Sequence, residues 1–206
     1  MSHAAAFRTP SPSAGPIPHE GERSRLREHA ERAVPVEAAD ILAAGLVVQV
    51  GFAIDGQPFV IPMAYHFDPA RPDLIYLHGA THSRLMRQLA SGAPVCLSVT
   101  LVDGLVYSRT ALFHSVNYRS AVCFGRLAPE PPREERRALL QAMVARYFPG
   151  RVAGVDYDPI PDDHLDPTAF VALRLEEWSA KARRGGPKGP RDRDPSAPGT
   201  AGVVAL

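Results

Sequence analysis

Cysteine is scarce in this 206-residue chain, which has only Cys96 and Cys123, both inside apolar, strand-like runs. Two such residues make neither a disulfide framework nor a thiolate metal site, and they are expected as buried thiols in a reducing compartment. Excess charge is missing too. Lys and Arg number 23 against 22 Asp and Glu, a net charge of +1, which leaves no electrostatic footprint for nucleic acid or an anionic membrane. The longest mostly apolar run, Ile41 to Ile54, is interrupted by Gln49 and is too short to span a bilayer. The opening MSHAAAFRTPSPSAGPIPHEG has neither the basic start nor the apolar middle of a signal peptide. These absences lead to the expectation of a soluble, cytoplasmic protein with no nucleic-acid or membrane partner. Internal repeats and a βαβ rhythm are also lacking. The Gly-rich segment RRGGPKGPRDRDPSAPG has no hydrophobic frame of the kind a phosphate-binding loop needs.

What is present is enough for one substantial domain: 45% of residues are hydrophobic. Residues 1–22, rich in Pro, Ser, Ala and Gly, are expected as a flexible arm, 23–183 as the domain, and 184–206 as a disordered charged tail whose apolar end, GVVAL, either docks on the body or stays loose. Asp55-Gly56 is a two-residue turn sequence. Closing it sets Phe52 opposite Phe59, Val50 opposite Ile61, Val48 opposite Met63 and Leu46 opposite Tyr65, apolar on both strands and on one face. A one-residue slip would turn one of those sets outward, so the register is strongly specified. A second Asp-Gly, Asp103-Gly104, is read as a hairpin joining Pro94–Val102 to Leu105–His114, followed by a strand over Ser120–Leu127. A helix is expected from about Pro132 to Phe148, with Leu139, Leu140, Met143 and Val144 on one stripe and Pro149-Gly150 as its stop. Thr168–Leu175 alternates as a last strand. Six or seven short antiparallel strands with a few flanking helices predict a mainly β, α+β fold: a small Greek-key barrel.

The richest stretch is LIYLHGATHSRLMRQLASG, Leu74 to Gly92. A short strand runs into His78-Gly79-Ala80, the chain turns, and an amphipathic helix begins near Ser83-Arg84. A helix start offers unpaired N–H groups to an anion, and arginine can grip a phosphate with two parallel hydrogen bonds. On the residues alone, Ser83 serves equally well as a helix cap and Arg84 as a solvated charge. Pro62, inside Ile61–Ala64, cannot donate to a ladder and points to a strand edge or bulge. His78 and His82 lie four apart, but a turn separates them and no third ligand is in view, so no metal is expected. Asn117-Tyr118-Arg119-Ser120 reads as a polar turn before a strand. Trp178 is a core or interface anchor on general grounds. No nucleophile–base pair or nucleophile elbow is visible.

These pieces resemble the pyridoxamine 5′-phosphate oxidase-like split-barrel flavoproteins. The likeness is strongest to the branch holding the nitroimidazole-resistance (Nim) proteins and flavin-nucleotide-binding relatives. GFAIDGQPFVIPMAY (51–65), the 74–92 segment, PVCLSVTLVDGLVYSRTALFHSVNYRSAVCFGR (94–126) and EEWSAKAR (176–183) occur in family order. The resemblance implies a split β-barrel that binds FMN and works as a homodimer. It places Pro62, Met63 and Ala64 along the flavin ring, and His78, Gly79 and Ala80 under the ribityl-phosphate. Ser83, Arg84 and Arg119 are implied around the phosphate, Asn117, Tyr118 and Ser120 as polar contacts, and Trp178 and Lys181 near the flavin. It further implies an FMN-dependent oxidoreductase taking electrons from a reductant such as NAD(P)H and reducing a small-molecule acceptor, nitroaromatic in the Nim relatives. The alternatives are a non-catalytic storage or sensing protein for a flavin or tetrapyrrole-like ligand, and a deazaflavin-using reductase. EEWSAKAR departs from the substrate-binding Arg/His pattern of true pyridoxamine phosphate oxidases, which disfavours vitamin B6 oxidation.

Overall fold

The computed structural model describes residues 15–165 and 168–206. Most of the segment read as a flexible arm, residues 1–14, lies outside the described residues. Seven antiparallel strands form one sheet in the order β1-β2-β3-β6-β5-β4-β7, and a further β1–β4 pairing closes its first six strands into a barrel. The strands are β1 (Val47–Ile54), β2 (Gln57–Phe67), β3 (Leu74–Ala80), β4 (Val95–Tyr107), β5 (Ser115–Leu127), β6 (Thr168–Arg183) and β7 (Gly202–Ala205). Among the described residues four α-helices flank them: α1 (Ala38–Ala44), α2 (Arg84–Ala90), α3 (Arg133–Tyr147) and the short α4 (Asp162–Leu165). This is the split barrel expected from the sequence. None of the described helices is long and apolar enough to cross a membrane.

The first hairpin has the register its apolar pattern demands, with Val48, Val50 and Phe52 facing Met63, Ile61 and Phe59. Its turn works because Asp55 and Gly56 both take positive φ, 50° and 79°, the conformation a two-residue hairpin loop needs. Val48 and Val50 are fully buried and join Leu97, Val99, Leu173 and Trp178 in the barrel core. Inside that core α1 seats Ile41 and Leu42, exposed by no more than 1%; each such side chain contributes about 1.5–3 kcal/mol of burial. The pairing of Leu46 with Tyr65 does not form. The Tyr147 hydroxyl occupies that place, accepting from the Tyr65 amide at 3.0 Å and donating to the Leu46 carbonyl.

Asp103-Gly104 makes no hairpin. β4 runs straight through it, with a register irregularity against β5 between Val102 and Gly104. Val95, Leu97, Val99 and Leu101 consequently face Gly125, Cys123, Ala121 and Arg119 rather than residues 106–112, and the reversal falls at a 3-10 turn over Ala111–Phe113. Three long-range partnerships outweigh the local turn signal. Arg119 holds the Asp103 carboxylate with two nitrogens at 2.7–3.2 Å, β5 pairs along the whole of β4, and β7 lies against Gly104–Tyr107. Gly104 is needed for a different reason: a Cβ there would stand 2.7 Å from the Val204 carbonyl oxygen. Asn117–Ser120 is likewise no turn but part of the first half of β5.

The segment expected as a disordered tail is attached to the body. Asp192 accepts from the Ser108 hydroxyl at 2.8 Å and the Arg109 amide at 2.7 Å. Arg109 in turn donates to the Ala197 carbonyl, and Ala197 is 5% exposed. GVVAL then docks as β7. The helix expected from about Pro132 to Phe148 is α3, with Leu139 and Met143 as its buried residues. The last expected strand continues to Arg183, twice the length its alternation suggested.

Candidate functional site

The proline in β2 marks an open flank. β1 pairs with Gln57–Ala64, but β3 takes only Tyr65–Phe67. The side of β2 away from β1 is therefore unpaired over residues 57–64, the setting that tolerates Pro62. Along that stretch Phe59, Ile61 and Met63 pack partly onto the core, while Pro62 and Ala64 alternate to the outer, exposed side.

α2 stands at the end of this flank. Ser83 is its N-cap, its hydroxyl accepting from the Met86 amide at 3.2 Å. Leu85, Met86 and Leu89 anchor the helix, and Gln88 reaches across to donate to the Ala53 carbonyl at 3.1 Å. The Arg84 guanidinium lies 4.5 Å from the centre of the Phe59 ring, a cation–π contact, with no carboxylate paired to it among the described residues. The methyl carbons of Met86 and Met63 close over Gly79, where a Cβ would meet them at 3.0 and 3.6 Å. Met63, Gly79, Ser83 and Arg84 are thus brought into one strip, with Pro62, Ala64 and the exposed Ala80 on its margins. Phe59 and Met86 belong to the strip too and were not singled out in the sequence. Phe59 had a signal, since the hairpin register places it on the face of Met63, four residues along.

His78 goes to the other side of β3. Its ring stacks on Phe170 at 5.8 Å, its Nδ1 is buried without a hydrogen-bond partner, and burial lowers its pKa below the ordinary 6.5. His66 is on that same outer face, 6.1 Å from the Tyr76 ring. It has an unpartnered buried Nδ1 as well, and its pKa is lowered first by burial and then by Arg146.

The remaining expected residues form a second group, on β5 and β6. Asn117 is buried, donating to the Gly185 carbonyl at 3.1 Å and accepting from Arg183. Tyr118 faces Arg183 and Ser120 faces Lys181 across the ladder. Arg119 is occupied by Asp103, whose carboxyl it holds below the usual carboxylate range by hydrogen bonding. Trp178 points into the barrel core, 6% exposed. Within one chain Asn117–Ser120 and Lys181 lie away from Arg84: β4 meets β1 at Cys96–Gly51 and meets Arg119 at Leu101, about 17 Å further along the strand at the usual rise per residue, whereas Trp178, opposite Cys123, lies at the level of Leu97.

Among the described residues no three His, Cys, Asp or Glu side chains gather as a metal site. Both thiols are free, and burial raises their pKa values, that of Cys123 above the ordinary thiol range. The arrangement offers a shaped edge with hydrogen-bonding backbone and one uncommitted guanidinium. It is equipped to hold a flat, anionic ligand rather than to attack a substrate itself.

A closed antiparallel barrel with an open β2 flank beside a capped helix start is a split-barrel architecture. The model of the family described as pyridoxamine 5′-phosphate oxidase matches residues 35–182, and the chain belongs to that family. No curated protein matches it in sequence. Among solved structures it is similar to the FAD and heme binding protein from Mycobacterium smegmatis, with 32% identity over 85% of this chain and 84% of that one at a TM-score of 0.72. It is also similar to the flavocytochrome Anf3 from Azotobacter vinelandii, with 29% identity over 92% and 86% of the two chains at a TM-score of 0.76. A 5-nitroimidazole antibiotic resistance protein from Bacteroides thetaiotaomicron shares the fold at 21% identity, covering 77% and 86%, with a TM-score of 0.58.

Proposed function

We propose that this chain binds a flavin nucleotide along the open flank of β2, with its phosphate toward Ser83 and Arg84, and transfers electrons to a small acceptor. The observation that carries the reading is the strip itself: an unpaired strand flank ending at a guanidinium with no carboxylate to neutralise it. The two relatives near 30% identity, described as an FAD and heme binding protein and as a flavocytochrome, support it. When bound, the flavin supplies the redox chemistry, exchanging a hydride or single electrons. The chain's own residues do the rest. Backbone groups of Pro62–Ala64 read the ring edge, Met63 and Met86 exclude water beside Gly79, and Arg84 neutralises phosphate charge. Homodimerisation completes the reading, because a second copy can supply the Asn117–Ser120 and Lys181 group that lies too far from Arg84 within one chain. The test is the absorbance spectrum of the purified protein, with mass spectrometry of the extracted cofactor to distinguish FMN from FAD. Colourless protein that takes up neither flavin in the test tube would defeat the proposal.

A second reading adds heme. His66 and His78 flank Tyr76 on the outer face of β2 and β3, and burial holds both rings toward the neutral form that ligates iron. Absorption of heme-reconstituted protein tests it: loss of the Soret band in His78→Ala or His66→Ala protein supports this reading, and an unchanged band in both rejects it.

A further inference from the structure

Glu31, Arg32 and Val34, the end of β6 and the start of the C-terminal segment surround a cleft of about 320 Å3. Arg32, Arg183, Arg184 and Lys188 line it, against a single lining carboxylate, Glu31. The partners of these cations show how much charge is left over. Arg184 is neutralised by a two-point pair with Glu37. Arg32 reaches Glu31 only at 3.7 Å. Arg183 donates to neutral acceptors, the Asn117 side chain and the Gly185 carbonyl. Lys188 has no carboxylate within ion-pair distance among the described residues. The adjoining Arg119–Asp103 pair is internally balanced.

Positive groups from three separate stretches of chain therefore converge on one concavity with an uncompensated charge, where low-dielectric walls strengthen the field. Arg32 and Arg183 are partly buried, while Arg184 and Lys188 are exposed. Val34 and Ala182 give the same cleft an apolar wall. The volume lies at the lower end of small-molecule sites and exceeds what an inorganic ion fills.

We propose that this cleft binds the phosphate-bearing adenosine end of a nucleotide, the phosphates meeting Arg32, Arg183 and Lys188 and the base packing on Val34 and Ala182. Both a pyridine nucleotide that delivers electrons and a dinucleotide flavin carry that chemistry. The site stands on its own cleft and charges, independent of the strip at β2.

Calorimetric titration of the full chain with adenosine 2′,5′-bisphosphate, ADP and inorganic phosphate tests this. Either nucleotide should bind more tightly than inorganic phosphate. Preference for the 2′,5′-bisphosphate assigns the cleft to a phosphorylated pyridine nucleotide, and preference for ADP to a dinucleotide pyrophosphate. The double variant Arg32→Ala/Lys188→Ala should weaken nucleotide binding by roughly tenfold or more, while Glu31→Gln should tighten it. The opposite response to Glu31→Gln is one that general damage to the fold would not produce. Inorganic phosphate binding as well as the nucleotides would show an adventitious ion only, and nucleotide binding indifferent to both variants would likewise overturn the proposal.

Discussion

Tyr147 and Tyr65 are joined through a hydroxyl that substitutes for a strand: the Tyr147 oxygen takes the Tyr65 amide hydrogen that Leu46 would otherwise have accepted. The neighbouring Arg146 lies over the Tyr65 ring at 4.5 Å and donates to the carbonyls of Leu42, Ala43, Gly45 and Tyr65. The end of α3 thereby caps α1 at its negative pole and ends the β1–β2 ladder in one contact. Arg146→Ala should cost about 2–3 kcal/mol and Tyr147→Phe about 1 kcal/mol, read as midpoint shifts in urea unfolding. Arg146→Lys should recover only part, because one ammonium cannot span the set of oxygens that a guanidinium reaches.

The two Asp-Gly pairs should answer differently to the same substitution. Gly56→Ala places a Cβ on a residue with φ of 79° in open space, a local strain of about 1 kcal/mol. Gly104→Ala drives a Cβ against the β7 backbone. Hydrogen exchange should show the amides of residues 202–206 losing protection while those of β1 and β2 keep it. Equal effects on both regions would contradict the account of β4.

That contrast shows which parts of the fold are legible in the sequence. The first hairpin is written locally, since turn residues and facing apolar pairs agree within 20 positions. Asp103-Gly104 carries the same turn chemistry, but Arg119, β5 and β7, all distant in sequence, decide its conformation. Asn117–Ser120 looks like a turn because its polar side chains find partners (Gly185, Arg183, Asp103) that only the folded sheet supplies. The tail looks disordered because its anchor, Asp192, binds backbone and hydroxyl groups that carry no hydrophobic pattern. At the candidate site the strand edge was legible from Pro62 and the helix start from Ser83. The separation of Arg119 from Arg84 was not, because it depends on strand register around the barrel.

Burial makes both outer-face histidines resist protonation, which sets a pH dependence. In the unfolded chain each titrates near 6.5, whereas folded His66 and His78 titrate lower. Below about pH 6.5 the unfolded state binds more protons, so stability present at neutral pH falls as pH drops through that value. Urea midpoints measured from pH 7.5 to 5 should decline, and His78→Phe, which keeps a ring against Phe170, should flatten the decline. A steeper slope in that variant would contradict the assignment.

The raised thiol pKa values argue against thiol chemistry. Cys96→Ser should leave flavin content and acceptor reduction measurable; abolished turnover with flavin and folding intact would point to a cysteine mechanism instead.

The most direct measurement is flavin binding to wild-type and Arg84→Ala protein, by fluorescence titration with FMN, FAD and riboflavin. Removing a charge-assisted contact to phosphate should weaken FMN and FAD on the order of 10- to 100-fold and leave riboflavin, which has no phosphate, nearly unaffected. Equal weakening of all three ligands, or no loss for any, would contradict the placement of a flavin phosphate at the start of α2.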